Sequence, residues 1–440
     1  MKNRFFNLVV IAAASISAVG CASAVFAEAV EQTAPKLHEV TLTLDPADVQ
    51  GVEVTGVGLK GEFLFYESNM TGHTDETGMA DVDKYYPPSE YQEGMSPIGG
   101  LYYEDMELNE DGIYEITLSL PAGAYPYNFV INPDLGPEDE QFSWSNVTTK
   151  TGEKKGFKDI MKVLAEGQNA QVNRWIPDPK NLPVAPTITG NQANSILLVG
   201  TPEESARIPI GDPEKTGTLS YQSYIDIDGN TQSAGVYLPA GYDKTKTYPL
   251  VIVSHGGGGN ECDWFSQGNL NNILDNMIAE GRTKEAIFVT PNNVVYDFDM
   301  EKIAANMKEC LIPYLEKVYN ISGDVHDRAF CGLSMGSMTT LYMFYNYPEM
   351  YDYYGAFSGG MAPGYEGFNL DNPHTREVTL LIGSAEEDIA YNTQNIGVPT
   401  TIAALEEAGV PFESYFVTGS HDWFCWPEMF EYFAENTLWK

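Results

Sequence analysis

The chemistry-bearing stretch is Phe330-Cys331-Gly332-Leu333-Ser334-Met335-Gly336-Ser337, which places a serine between two glycines in the pattern Gly-x-Ser-x-Gly. Glycines on both sides allow a sharp, strained turn that leaves the serine hydroxyl exposed at its apex. A serine is a weak nucleophile, so it needs a histidine as base and a carboxylate to orient that histidine. The chain has six histidines from which to draw one: His38, His73, His255, His326, His374 and His421.

Choosing among them requires the elements that carry them. From about Arg207 onward, continuous apolar runs such as "YPLVIVS", "EAIFVTP", "RAFCGLS", "VTLLIGS" and "SYFVTGS" alternate with stretches of helical period. Those stretches include "LNNILDNMIAEG", "EKIAANMKECLIPYLEKVY", "SMTTLYMFYNY" and "TIAALEEAG". Buried strands alternating with helices predict a doubly wound, mostly parallel α/β sheet. Residues 37–200 read differently: "HEVTLTLD", "GIYEITLSLPAG" and "AYPYNFVIN" alternate with period two between Gly, Pro and Asp clusters. That pattern predicts an all-β, immunoglobulin-like sandwich preceding an α/β domain over 207–440. The proline-rich "PDPKNLPVAP" is an extended linker, or a loop before a final strand "SILLVG".

On this frame Ser334 falls between a strand and a helix, the setting a nucleophile elbow needs. Sheets of this kind place their sites at the carboxyl ends of strands, and the hydrolase order is nucleophile, acid, histidine. Only His374 and His421 follow Ser334 in that order. His374 precedes the strand "VTLLIGS", at the wrong end of the sheet, whereas His421 directly follows "SYFVTGS". His421 is therefore the expected base. The loop after "VTLLIGS" offers Glu386, Glu387 and Asp388 as the acid; Asp388 is preferred, with Glu387 second. "SHGGGGNECDWF" brings glycine amides to the end of an earlier strand. Gly257, or its neighbour Gly258, would join the Met335 amide in stabilising an oxyanion. His255 has no partner at metal-ligand spacing and is expected to shape that loop.

At these residues the chain resembles carbohydrate esterase family 1, within the esterase D-like α/β-hydrolases. The resemblance rests on "VYLPAGYD", "YPLVIVSHGGGGNECDWF", "NILDNMIAEGR", "FVTPN", "GLSMGS" and "GSHDWFCW", and covers about 207–440. It implies hydrolysis of feruloyl or acetyl esters on a plant polysaccharide such as xylan, with no cofactor and no metal. Ser334, His421 and Asp388 fit the family's nucleophile, base and acid, and Gly257 and Met335 its oxyanion donors. Trp264, Trp423 and Trp426 lie near these loops in sequence and are expected to form an aromatic pocket for the acyl group. "LNEDGIYEITLSLPAGAYPYNFVIN" resembles the early-set domain of family 48 carbohydrate-binding modules. Trp144 or Trp175 would either stack on a sugar or, as is commoner, pack in the core or between domains, and the domain would either bind sugar or shape the substrate cleft. The insert "TGHTDETGMADVDKYYPPSEYQEGMSPIGG" departs from that pattern. A siderophore esterase, an acyltransferase of the same superfamily and a catalytically silent carbohydrate-binding protein are the alternatives.

Composition narrows the partners. Sixty-two acidic against 24 basic side chains give a formal charge of −38, which disfavours nucleic acid and anionic membrane surfaces. The first 27 residues read as a signal peptide: Lys2 and Arg4, then an apolar run, then small residues before Ala27. Lipid attachment at Cys21 is the alternative, and either implies a secreted or cell-surface protein. Cys262, Cys310, Cys331 and Cys425 then remain, and their spacing selects no disulfide pairing. Oligomeric state leaves no mark on the sequence.

Overall fold

The computed structural model describes residues 35–51, 53–67, 84–100, 102–132, 175–182, 194–297, 299–392 and 397–440. The signal segment, Cys21, His73, Trp144 and the first part of the insert lie outside them, as does the side chain of Trp175.

Eight strands form the larger sheet: β1 (Thr218–Ile225), β2 (Thr231–Leu238), β3 (Leu250–Ser254), β4 (Ile287–Pro291), β5 (Arg328–Leu333), β6 (Tyr353–Phe357), β7 (Thr379–Ala385) and β8 (Glu413–Val417). Their spatial order is β1-β2-β4-β3-β5-β6-β7-β8. β2 runs antiparallel to both its neighbours, and every pair from β4 onward is parallel. Parallel strands buried on both faces need apolar residues in both registers. β3 supplies them: Leu250 and Ile252 face one core layer, Val251 and Val253 the other.

Helices cover both faces: α1 (Leu270–Ala279), α2 (300–318), α3 (Met335–Asn346), α4 (Val398–Glu407) and α5 (Cys425–Tyr432). α2 is capped at its start by Asp299, whose carboxylate accepts the Lys302 N–H at 3.0 Å. Its middle is a π turn over Met307–Leu311. The layers formed by Ile252, Val289, Phe330, Leu341 and Phe344 on one side, and by Phe288, Cys331, Trp264 and Phe430 on the other, are fully buried or nearly so. β6 ("YYGAF") and β1 ("LSYQSYI") are additions to the strands expected from sequence; their tyrosines and small residues blur the apolar run that marks the others.

The N-terminal part is β-rich and antiparallel. His38–Leu44 pairs with Tyr114–Leu120, and Gly123–Ile131 is flanked by Val57–Gly61 and Ser195–Val199. In "HEVTLTL" the outward Glu39 and Thr41 alternate with Leu42 and Leu44, which are buried among Leu59, Leu118, Leu120 and Phe129. Leu64–Glu67 pairs with Met95–Ile98, and the chain leaves that strand pair at Gly99. "SILLVG" is the strand that closes this part, as the sequence implied. Cys262, Cys310, Cys331 and Cys425 are free thiols, all but Cys310 buried. Among the described residues no helix is long and apolar enough to cross a membrane.

Candidate active site

Ser334 follows β5 and precedes α3, with φ 52° and ψ −117°. A positive φ is costly for a residue with a Cβ and marks a conformation imposed by its surroundings. Two close approaches impose it. A Cβ on Gly336 would stand 2.5 Å from the His255 carbonyl oxygen, and one on Gly332 2.7 Å from that of Gly336. Only glycine lets the strand, the turn and the helix come this close. The Ser334 N–H is tied to the Phe357 carbonyl at 2.8 Å, fixing the elbow to β6.

The hydroxyl so presented meets a histidine. Ser334 Oγ lies 2.9 Å from His421 Nε2, and His421 Nδ1 lies 2.8 Å from Asp388 Oδ1. Asp388 is fully buried and its Oδ1 also accepts the Ala390 N–H at 2.7 Å. The two loops carrying acid and histidine are joined by backbone: the N–H groups of Glu386 and Glu387 donate to Val417 and Gly419. Of the three acids the sequence left open, the hydrogen bond to His421 belongs to Asp388. A buried carboxylate fixes the Nδ1–H tautomer, leaving Nε2 to accept the serine proton. Such an arrangement can activate a hydroxyl for attack on a carbonyl carbon.

The glycine loop lies beside it. A Cβ on Gly257 would be 3.3 Å from Met335 Cγ, so the loop runs against the start of α3. Met335 is the first residue of that helix, where N–H groups have no intrahelical acceptor. His255 secures the loop: Nδ1–H donates to the Gly256 carbonyl at 2.8 Å, and Nε2 accepts the Asn293 N–H at 2.9 Å. Complete burial of the ring lowers its pKa to about 4, so it stays neutral. Asn293 was not singled out from sequence, because nothing in "TPNNVV" marks it. His374 sits in a 3-10 turn before β7, bonded to Glu377.

The expected three-tryptophan pocket needs correction. Trp264 is fully buried and its indole N–H donates to the Ser254 carbonyl at 2.9 Å, so it offers no face to a substrate. Trp426 is also buried, and stands edge-on to the His421 ring at 5.0 Å. Trp423 packs edge-on between them, 5.4 Å from Trp264 and 5.0 Å from Trp426, and is only half-buried. Of the three rings Trp426 meets His421, and Trp423 is the most exposed. Adjacency in sequence to "GSHDWFCW" suggested a pocket because it carries no information about which way a ring points.

Two residues missed from sequence also bear on this loop. Arg207, buried, donates to the Trp423 carbonyl at 2.9 Å and to the Gln267 carbonyl at 2.6 Å. Asp422 is buried next to His421, and burial raises its pKa above the ordinary aspartate value.

Residues 229–432 match the protein family described as "Putative esterase". An endo-1,4-β-xylanase/feruloyl esterase of Xylanibacter ruminicola is 31% identical over 227 residues, 48% of this chain and 30% of that protein. The chain thus spans under a third of that relative's length. The solved structure of a ferulic acid esterase from Anaeromyces mucronatus in complex with ferulic acid is 26% identical, covering 50% of this chain and 91% of the other, with a TM-score of 0.44. An enterobactin esterase from Shigella flexneri shares the fold over 91% of this chain and 93% of its own, at 13% identity and a TM-score of 0.51. The family match and the curated relative support an esterase-like chain, and the family match lies within residues 229–432.

Proposed function

We propose that the chain is a secreted serine esterase that removes feruloyl or acetyl groups from a plant cell-wall polysaccharide. The observation that carries this reading is the continuous hydrogen-bonded line Ser334–His421–Asp388 at the carboxyl ends of β5, β8 and β7. His421 takes the Ser334 proton as the hydroxyl attacks the ester carbonyl. The amides of Gly257 and Met335 stabilise the resulting oxyanion, a contribution of roughly 3–4 kcal/mol per donor at such sites. The sugar hydroxyl leaves with the proton from His421, and water releases the acid from the acyl-enzyme by the same steps. The Xylanibacter relative, an endo-1,4-β-xylanase/feruloyl esterase, supports a plant polysaccharide ester as substrate. The β-rich N-terminal part is read as an early-set domain over 37–200, the hydrolase as 207–440, and residues 1–27 as an export signal.

The test is release of ferulate from methyl ferulate and of nitrophenol from p-nitrophenyl acetate by the mature protein. With Ser334→Ala, turnover falls by at least about 10⁴-fold. Ferulate release that survives the substitution overturns the triad reading, and cleavage of acetate alone moves the substrate to acetylated polysaccharide. A second reading, a siderophore esterase, draws on the shared fold over nine-tenths of the chain. Anionic substrates fit a chain of charge −38 poorly; cleavage of a catecholate siderophore ester in preference to methyl ferulate would establish it.

A further inference from the structure

We propose that the β-rich N-terminal part is a working component of the active centre: Gly99 clamps the loop that carries His421 by bonding to Asp422, which makes Asp422 a positioning residue for the base. The inference rests on the esterase reading above. The Gly99 N–H donates to Asp422 Oδ2 at 2.7 Å, across 323 positions of sequence. The other oxygen of the same carboxylate accepts the N–H groups of Phe424 at 2.9 Å and Cys425 at 3.2 Å, where α5 begins. One buried carboxylate therefore joins the end of the N-terminal strand pair to the turn that follows His421. Its burial is costly, and three N–H donors offset that cost.

The contact leaves no slack. A Cβ added at Gly99 would stand 2.5 Å from Asp422 Cβ, so the backbone itself is the strut. The next two residues are held from the same side. Arg207, in the segment joining the two parts, holds the Trp423 carbonyl and lies 5.8 Å from the centre of the Phe424 ring. Phe424 packs on the N-terminal core, its ring 6.0 Å from that of Tyr125. Residues 422, 423 and 424 are thus each fixed from outside the sheet, immediately after a histidine that must hold its Nε2 within hydrogen-bond reach of Ser334. Misplacing a base by an ångström is enough to cost about 10²-fold in rate.

Asp422→Asn separates the clamp from the local turn. An asparagine has one carbonyl oxygen, so it keeps the bonds to Phe424 and Cys425 only by turning its NH₂ toward the Gly99 N–H. Gly99→Ala strikes the same contact from the other side. Both are followed by kcat and KM on methyl ferulate, by the rate at which a fluorophosphonate probe labels Ser334, and by thermal melting. The expected result is a fall of about 10- to 100-fold in kcat and in labelling rate, with KM within about twofold of wild type. Wild-type kcat and labelling in Asp422→Asn overturn the clamp, as does a rise in KM with kcat unchanged, which would mark a substrate contact. If Gly99→Ala does not fold, Asp422→Asn decides. A wild-type protein that the probe does not label refutes the esterase reading instead.

Discussion

At the scale of single residues, the division of labour among three adjacent acids is the sharpest feature. Glu386, Glu387 and Asp388 follow one another, yet the side-chain bond to His421 Nδ1 comes from Asp388. Asp388→Asn keeps the shape and presents the wrong partner to Nδ1–H, so kcat should fall by about 10³- to 10⁴-fold. Glu387→Gln, one position away, should leave kcat near that of wild type. Steady-state kinetics of the pair checks both, and equal losses would mean that the loop, not the carboxylate, is what matters. The pairing of Ser334 with His421 was legible in sequence because chemistry restricts such pairs: a serine between two glycines, and one histidine after the right strand. Asp388 was legible only as one of three, since chain order names a loop and not a side chain. Asp422 and Gly99 were illegible, because a bond across 323 positions leaves no local pattern.

At the scale of elements, the glycine loop after β3 depends on a histidine that does no chemistry. His255 bonds to the Gly256 carbonyl and the Asn293 N–H only as the neutral ring, and its pKa is lowered from 6.5 to about 4 by burial. In the unfolded chain the ring gains its proton near pH 6.5; in the folded chain it resists until about pH 4. Its contribution to stability is therefore fully present above pH 6.5 and is lost as pH falls toward 4, by about 3 kcal/mol in all. Urea denaturation across that range should show the loss. His255→Gln, less stable at neutral pH, should show a shallower slope, and parallel slopes for the two proteins would refute the assignment. Strand identity was readable wherever both faces are buried, as in β3, β4, β5 and β7, because unbroken apolar runs follow from burial on two sides. β6 and β1 escaped notice where tyrosine, glycine and serine interrupt the run. The tryptophans were misjudged for a related reason: burial depends on what packs against a ring, and Trp264 lies between the sheet and α5.

At the scale of the whole molecule, the chain carries 62 acidic side chains against 24 basic ones, and its site is proposed to release an organic acid. A neutral ester approaches such a surface without penalty, while free ferulate is repelled by it. The KM for methyl ferulate should then be insensitive to salt, and product inhibition by ferulate should strengthen as salt screens the repulsion. Inhibition that weakens with salt would mean that the field at the site is locally positive. The clamp between Gly99 and Asp422 has a consequence in time as well as in space. Ribosomes add about 5–20 residues per second, so the second partner appears on the order of tens of seconds after the first. A nascent chain that has emerged through β7 carries Ser334 but neither Asp388 nor His421, the proposed acid and base. Closing so long a loop costs chain entropy before the contact can stabilise anything. The growing polypeptide therefore lacks the proposed base until His421 has been added, and full activity waits for the two distant segments to meet.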